Sequence, residues 1–184
     1  SGCKFSCPYC PIPAYNQRQY RAKSGARVAD EMKRLNAQYG LHYFFGADDN
    51  FFNNTERAVD ILESIARMKK ETPALQYGLR WGTEVTVHDT LRMREHLKLA
   101  RKASVRALWL GVEDMTGTLV KKGQSVDRTV EVFRLLVKGL GKGRWRWMAR
   151  GAGVLGLSCY VRPAGLVVAA VLAAVLLSRA IAEA

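Results

Sequence analysis

The stretch SGCKFSCPYC, residues 1–10, sets Cys3, Cys7 and Cys10 in the order C-x3-C-x2-C, and Cys159 is the one other cysteine of the 184-residue chain. No secretory leader is read in these residues. Clustered thiols then point to a reducing, cytoplasmic setting, where they serve metal binding or catalysis rather than structural disulfides.

Three neighbouring thiolates have few uses. A structural zinc closes four ligands, but the first histidine is His42, in a strand-like stretch, and Cys159 is remote. An electron-transfer iron–sulfur cluster also takes four cysteines. A disulfide would leave an odd thiol. The use that remains is a [4Fe–4S] cluster with one iron open to a substrate that chelates it. Pro8, Pro11 and Pro13 suit such a loop, because each fixes φ and removes an N–H.

Outward from the cysteines, helix and strand patterns alternate. SGARVADEMKRLNAQYG (24–40) puts Val28, Met32, Leu35 and Tyr39 on one stripe, with Ser24 as cap and Gly40 as stop, which predicts an amphipathic helix. LHYFF (41–45) reads as a short strand. NNTERAVDILESIARMKK (53–70) predicts a helix, with Asn53 and Glu56 at capping-box spacing and Val59, Leu62, Ile65 and Ala66 inward. QYGLRW (76–81) reads as a strand, and DTLRMREHLKLARKA (89–103) as a helix capped by Asp89. VRALWLGV (105–112) is apolar almost throughout, as in a sheet buried on both faces. VDRTVEVFRLLVK (126–138) closes the series as a helix carrying Val130, Phe133 and Val137.

This alternation predicts an α/β fold of parallel β/α units, whose ligands sit at the carboxyl ends of the strands. The expected exits share a pattern: GADDN (46–50), GTE (82–84) and GVED (111–114) each pass through glycine into acidic residues. They predict one carboxylate-lined rim facing whatever the cysteines hold.

CKFSCPYC resembles the signature of the radical S-adenosylmethionine superfamily, C-x3-C-x-aromatic-C, with Tyr9 at the aromatic position. The resemblance runs to about residue 136 and implies a partial parallel (β/α)6 barrel, truncated at both ends. It implies that Cys3, Cys7 and Cys10 ligate a [4Fe–4S] cluster whose open iron takes S-adenosyl-L-methionine. One electron then breaks a C–S bond, and the resulting 5′-deoxyadenosyl radical removes hydrogen from a substrate. The cofactor supplies that chemistry, so no side chain is assigned a catalytic role.

GADDNFF (46–52) falls where the family carries a glycine-rich acidic motif that receives the cofactor's ammonium. Asp48 is the first choice for this contact, Asp49 the second, with Gly46 allowing close approach. A turn and helix cap is the structural alternative for 48–50. The motif departs from the commoner Gly-Gly-Glu and looks like the branch that carries a cobalamin-binding domain. Glu84 and Glu113 are candidates for ribose or methionine-carboxylate contacts, or for simple rim ion pairs. LGVEDMTGTLVKKGQS (110–125) resembles a segment of the same branch. Arg80 could pair with a carboxylate. His88 and His96 are expected on the surface or in helices, and Phe44, Trp81 and Trp109 in the core.

That branch includes methylases of unactivated carbon and ring-forming enzymes of lipid and tetrapyrrole biosynthesis. It implies a small-molecule or lipid substrate, an electron donor such as a flavodoxin or ferredoxin, and cobalamin through a domain upstream. Two alternatives stay open: an RNA-modifying methylthiotransferase relative, and a non-catalytic iron–sulfur or zinc protein.

The family's first barrel strand should precede the cysteines, so a longer parent protein is expected. The core is expected to span 1–136, with an atypical tail at 137–184. The formal charge of +13 divides accordingly: the tail has seven Lys/Arg against Glu183, while residues 1–136 mix 22 basic with 15 acidic residues. No basic cluster interleaved with aromatics stands out before 137, so a nucleic-acid partner is not expected. AGLVVAAVLAAVLLS (164–178) is a fifteen-residue apolar run, short of the roughly 20 that span a bilayer. A membrane anchor, a frame-shifted reading of GC-rich DNA and a soluble helix remain open for it. Cys159 lies in this tail and receives no role.

Overall fold

In the loop after the cysteines, Pro11 is the N-cap of one helical turn, α1 (Ile12–Tyr15), and Pro13 in its first turn stands where an orphan N–H would otherwise be. The computed structural model describes residues 1–17, 19–112 and 123–138. Glu113, Cys159, and the tail from 139 onward with its apolar run at 164–178 lie outside them. Two units divide between Gly111 and Val112.

In the first unit, α2 (Gly25–Tyr39) begins where the Ser24 side chain accepts from the Arg27 N–H, and it stops at Gly40, whose φ of 66° is the left-handed cap that glycine allows. The inward face matches the predicted stripe only in Met32 and Val28, which lie in or against the core. Gly25, Ala29, Met32 and Asn36 are buried, whereas Leu35 and Tyr39 are exposed. The cause is close helix packing: a Cβ on Gly25 would stand 2.3 Å from the Asp60 carbonyl oxygen of the neighbouring helix. Gly25 and Ala29 give the close contact room, Met32 packs in the core, and Leu35 and Tyr39 are turned aside.

Strand β1 (Tyr43–Gly46) leads through a 3₁₀ turn (Phe51–Asn53) into α3 (Thr55–Glu71). The cap of α3 is Asn54, which accepts from the Arg57 N–H, one residue later than the predicted Asn53. Leu62 and Ile65 are fully buried as expected, joined by Ala58, Ile61 and Met68. After α4 (Pro73–Gln76) comes β2 (Arg80–Thr86). This strand lies four residues beyond the predicted 76–81, since Thr83, Val85 and Thr86 are β-branched and pack on a pleated surface. The crossover from β2 is not the single helix predicted with Asp89 as its cap. Thr86 caps α5 (Val87–Arg92), a 3₁₀ turn occupies Arg94–His96, and α6 (Leu97–Lys102) completes the connection. Strand β3 (Val105–Gly111) comes next.

The strands form a parallel sheet in the order β1-β2-β3. One face is covered: Trp81 and Val85 join Leu62, Ile65, Phe51 and Phe52 in the core, with Phe44, Leu108 and Leu110 packed against it. The other face is open. Phe45 and Trp109 are each 48% exposed and meet edge to face at 4.9 Å across Gly82. A Cβ on Gly82 would come within 2.6 Å of the Trp109 ring, so only glycine leaves room for the pair. This corrects two expectations: β3 is not buried on both faces, and Trp109 is not a core residue. Trp81 is one, its indole N–H donating to the Ala103 carbonyl at 2.8 Å.

The second unit has one described element, α7 (Val126–Lys138). Thr129 and Val132 are its fully buried residues, while Val130 and Phe133 are half-buried. The inward face is thus rotated from the predicted one. Among the described residues, no helix is long and apolar enough to cross a membrane.

Candidate functional site

The cysteine loop lies against the carboxyl ends of β1 and β2, and carboxylates hold it there. Cys7 is buried, and Cys3 and Cys10 are half-buried, all three as thiols. The Cys10 N–H donates to the Cys7 carbonyl at 3.1 Å, which turns the chain tightly between the two sulfurs. Tyr9 is 53% exposed beside them.

Asp49, just after β1, grips the loop on both sides of the thiols. Its Oδ2 accepts from the Gly2 N–H at 2.6 Å and from the Asn16 side chain at 3.1 Å, and Oδ1 accepts from the Tyr15 hydroxyl at 3.4 Å. Gly2 adopts a φ of 103° to make this contact. A side chain there would also collide with the Gln19 carbonyl oxygen, 2.3 Å from the would-be Cβ.

Lys4, between the first two cysteines, reaches further. Its Nζ donates to Asp89 Oδ1 at 2.5 Å and to the Asn53 carbonyl at 3.2 Å. Its N–H donates to the Asn53 side chain. Asp89 is 1% exposed. Its Oδ2 accepts from Asn50 Nδ2 at 2.7 Å and from the Thr86 hydroxyl at 3.1 Å. Sequence reasoning missed Lys4 and took Asn50 and Asp89 for local turn and cap residues. The available signal was an aspartate three residues after a threonine at a strand end, with a lysine inside the thiol loop.

Asp48 differs from its neighbour. Its Oδ1 is buried and accepts no hydrogen bond, although the Ser1 ammonium stands 3.3 Å away as an ion pair. The two observations agree once geometry is separated from charge: the oxygen faces a cation but lacks an aligned donor. Burial first, and then the charge of Asp48, push the phenol of half-buried Tyr20 up to about 12, with Arg57 pulling the other way. Gly46 and Asp48 also line a cavity of about 630 Å³ whose walls include Met32, Phe51 and Trp81. Gly46 is crowded on its sheet side by Thr83, whose hydroxyl donates to the Gly46 carbonyl at 3.1 Å. The close approach there is therefore made by the sheet itself.

The predicted rim is only partly assembled. Glu84 is not at a strand exit but within β2, in register with Trp109, because the strand runs on to Thr86. It is exposed, and its charge, with those of Asp49 and Cys10, raises the pKa of Tyr15 after desolvation has done so. With Trp109 it lies on the open face of the sheet. Arg80 starts β2, six residues from its exit and so about 20 Å away by strand rise. His88, in α5, meets Phe5 edge to face at 5.7 Å, and His96 lies in the 3₁₀ turn. Glu113 falls outside the described residues.

Among the described residues, no three His, Cys, Asp or Glu side chains converge on the space of one metal ion. A four-iron cluster asks something else: one thiolate to each of three irons, with the last left for a small ligand. Three thiols in one anchored loop fit that donor set, and the buried Asp48 oxygen, which faces an ammonium without an aligned donor, fits a ligand that brings one.

The family model described as Radical SAM superfamily matches residues 1–142. An anaerobic magnesium-protoporphyrin IX monomethyl ester cyclase of Cereibacter sphaeroides is 30% identical over 139 residues, covering 73% of this chain and 22% of that protein. A hopanoid C-2 methylase of Rhodopseudomonas palustris is 31% identical over 124 residues, 66% of this chain and 22% of that protein. The chain thus spans about a fifth of the length of these relatives. Among solved structures, the radical S-adenosylmethionine methyltransferase TsrM of Kitasatospora setae, with cobalamin and a [4Fe–4S] cluster bound, shares the fold. Its TM-score is 0.64 at 23% identity, over 74% of this chain and 27% of that one.

Proposed function

Because the chain belongs to the radical S-adenosylmethionine superfamily, a family of enzymes that work with a [4Fe–4S] cluster and S-adenosylmethionine, we propose that it forms the cofactor-binding part of a methylase or ring-forming enzyme. The observation that carries the reading is the anchored loop: three thiols held at the strand exits by Asp49 and Asp89, with the Asp48 carboxylate next to Asp49 at the exit of β1.

Cys3, Cys7 and Cys10 are the thiolates for the cluster. When bound there, the cluster would supply the single electron for reductive cleavage of S-adenosylmethionine. Asp48 receives the ammonium of that cofactor, since its buried Oδ1 already faces an ammonium, that of Ser1, without an aligned hydrogen bond, and a well-directed charged N–H would satisfy it. Asp49, whose oxygens are committed to Gly2, Tyr15 and Asn16, holds the loop and not the ligand. Glu84, on the open sheet face with Phe45 and Trp109, is the candidate for a ribose contact.

The named relatives are a magnesium-protoporphyrin cyclase and a hopanoid methylase, which supports a small-molecule or lipid substrate, and the cobalamin bound to the similar methyltransferase supports its use by the parent protein. An electron donor such as a flavodoxin or ferredoxin is implied by the reduction step.

Anaerobic reconstitution tests the reading. The chain should take up close to four irons and release 5′-deoxyadenosine when reduced with S-adenosylmethionine, and Cys7→Ala should abolish both. A chain that binds one zinc tightly, takes up no iron cluster and never cleaves the sulfonium would overturn it.

A further inference from the structure

We infer that Asp89 is a positioning residue for the thiol loop, acting through Lys4. The inference rests on the reading of Cys3, Cys7 and Cys10 as cluster ligands and adds what holds them in place.

A buried carboxylate needs an explanation, since a charge removed from water persists only when paired and hydrogen-bonded. Capping does not explain Asp89. The cap of α5 is Thr86, whose hydroxyl oxygen accepts from the Asp89 backbone N–H at 3.2 Å, an interaction that any residue at 89 with an N–H could make. Beyond accepting from the Thr86 hydroxyl, the carboxylate is engaged by Lys4 and Asn50, neither of them part of the cap. Asn50 is fully buried and, besides donating to Asp89, accepts from the Thr86 N–H at 3.3 Å. It thereby ties the exit of β1 to the end of β2. Lys4 adds the loop to that junction, and it is the neighbour of Cys3. Arg92, on the next turn of α5, also faces Asp89 Oδ1, at 4.0 Å, but it is largely exposed and touches no part of the loop. The arrangement fixes the loop from the protein side before any metal is present.

The experiment reads thiol accessibility in the full chain without iron, under anaerobic conditions, by iodoacetamide labelling of each cysteine quantified by mass spectrometry. Cys7, 4% exposed, can react only when the loop opens, so its rate reports that opening. In the unaltered chain it should label about tenfold or more slower than Cys10, as expected for a group that reacts only through local opening. Lys4→Met and Asp89→Asn should each raise the Cys7 rate by about tenfold, and Lys4→Arg should restore most of the protection. In Lys4→Met, direction separates anchoring from charge: losing a nearby cation disfavours thiolate and would by itself slow labelling, whereas Asp89→Asn removes an anion and does not make this separation. Lys4 is one-third exposed, so its variants keep the fold and decide the matter even if Asp89→Asn does not fold. A Cys7 rate unchanged in Lys4→Met, or a Cys7 already as reactive as Cys10 in the unaltered chain, overturns the inference. Iron uptake is measured separately. A chain that takes up no iron but shows this labelling pattern loses the cluster reading and keeps the anchor.

Discussion

The covered face of the sheet and the thiol loop are built by opposite means. Behind the sheet, Leu62, Ile65, Trp81 and Val85 exclude water through many weak contacts, none of which is directional. At the strand exits, the loop contributes little apolar burial beyond Cys7 and is located by a few charge-assisted hydrogen bonds to Asp49 and Asp89. The first region sets stability and tolerates small shifts. The second sets position and does not, because losing one bond leaves a buried carboxylate unsatisfied.

Substitutions in the two regions should separate accordingly. The largest effect on folding belongs to the covered face: Leu62→Ala empties a fully buried site and should cost about 2–5 kcal/mol of unfolding free energy, read by chemical denaturation. At the exits, Asp48→Ala should leave the denaturation midpoint nearly unchanged. It should weaken binding of S-adenosylmethionine to the cluster-loaded chain by about ten- to a hundredfold, the worth of a charged hydrogen bond. Calorimetric titration that finds equal affinity would move the ammonium contact away from Asp48. The smallest effect should come from a region belonging to neither group. Arg34→Ala breaks an exposed i,i+4 pair with Asp30 and should change stability by only a few tenths of a kcal/mol. A larger loss would mean that surface charge contributes more here than the contrast allows.

The same contrast governs what could be read from the chain itself. Helix α2 was legible at both ends, because Ser24 and Gly40 act through their own backbone neighbours. The parallel architecture was legible too, since strand and helix periods differ. Which side of α2 faces inward was not, because the close contact at Gly25 depends on Asp60, thirty-five residues later. Strand β2 was placed too early, so Glu84 was assigned to an exit that the chain reaches only at Thr86. The thiols and the acidic turn were visible as motifs. The division of labour between Asp48 and Asp49 was not, because adjacent carboxylates look alike until Gly2, Tyr15 and Asn16 are seen to occupy one of them.

The Lys4–Asp89 contact spans 85 residues of sequence, and this has a consequence in time. At ribosomal speeds of about 5–20 residues per second, roughly 4–17 seconds separate the synthesis of Lys4 from that of its partner. Until Asp89 emerges, the loop has only earlier residues such as Asp49 and Asn53 to hold it. On the reading proposed for the thiols, iron is expected to be delivered after the second strand has emerged, so that the order of translation would schedule maturation.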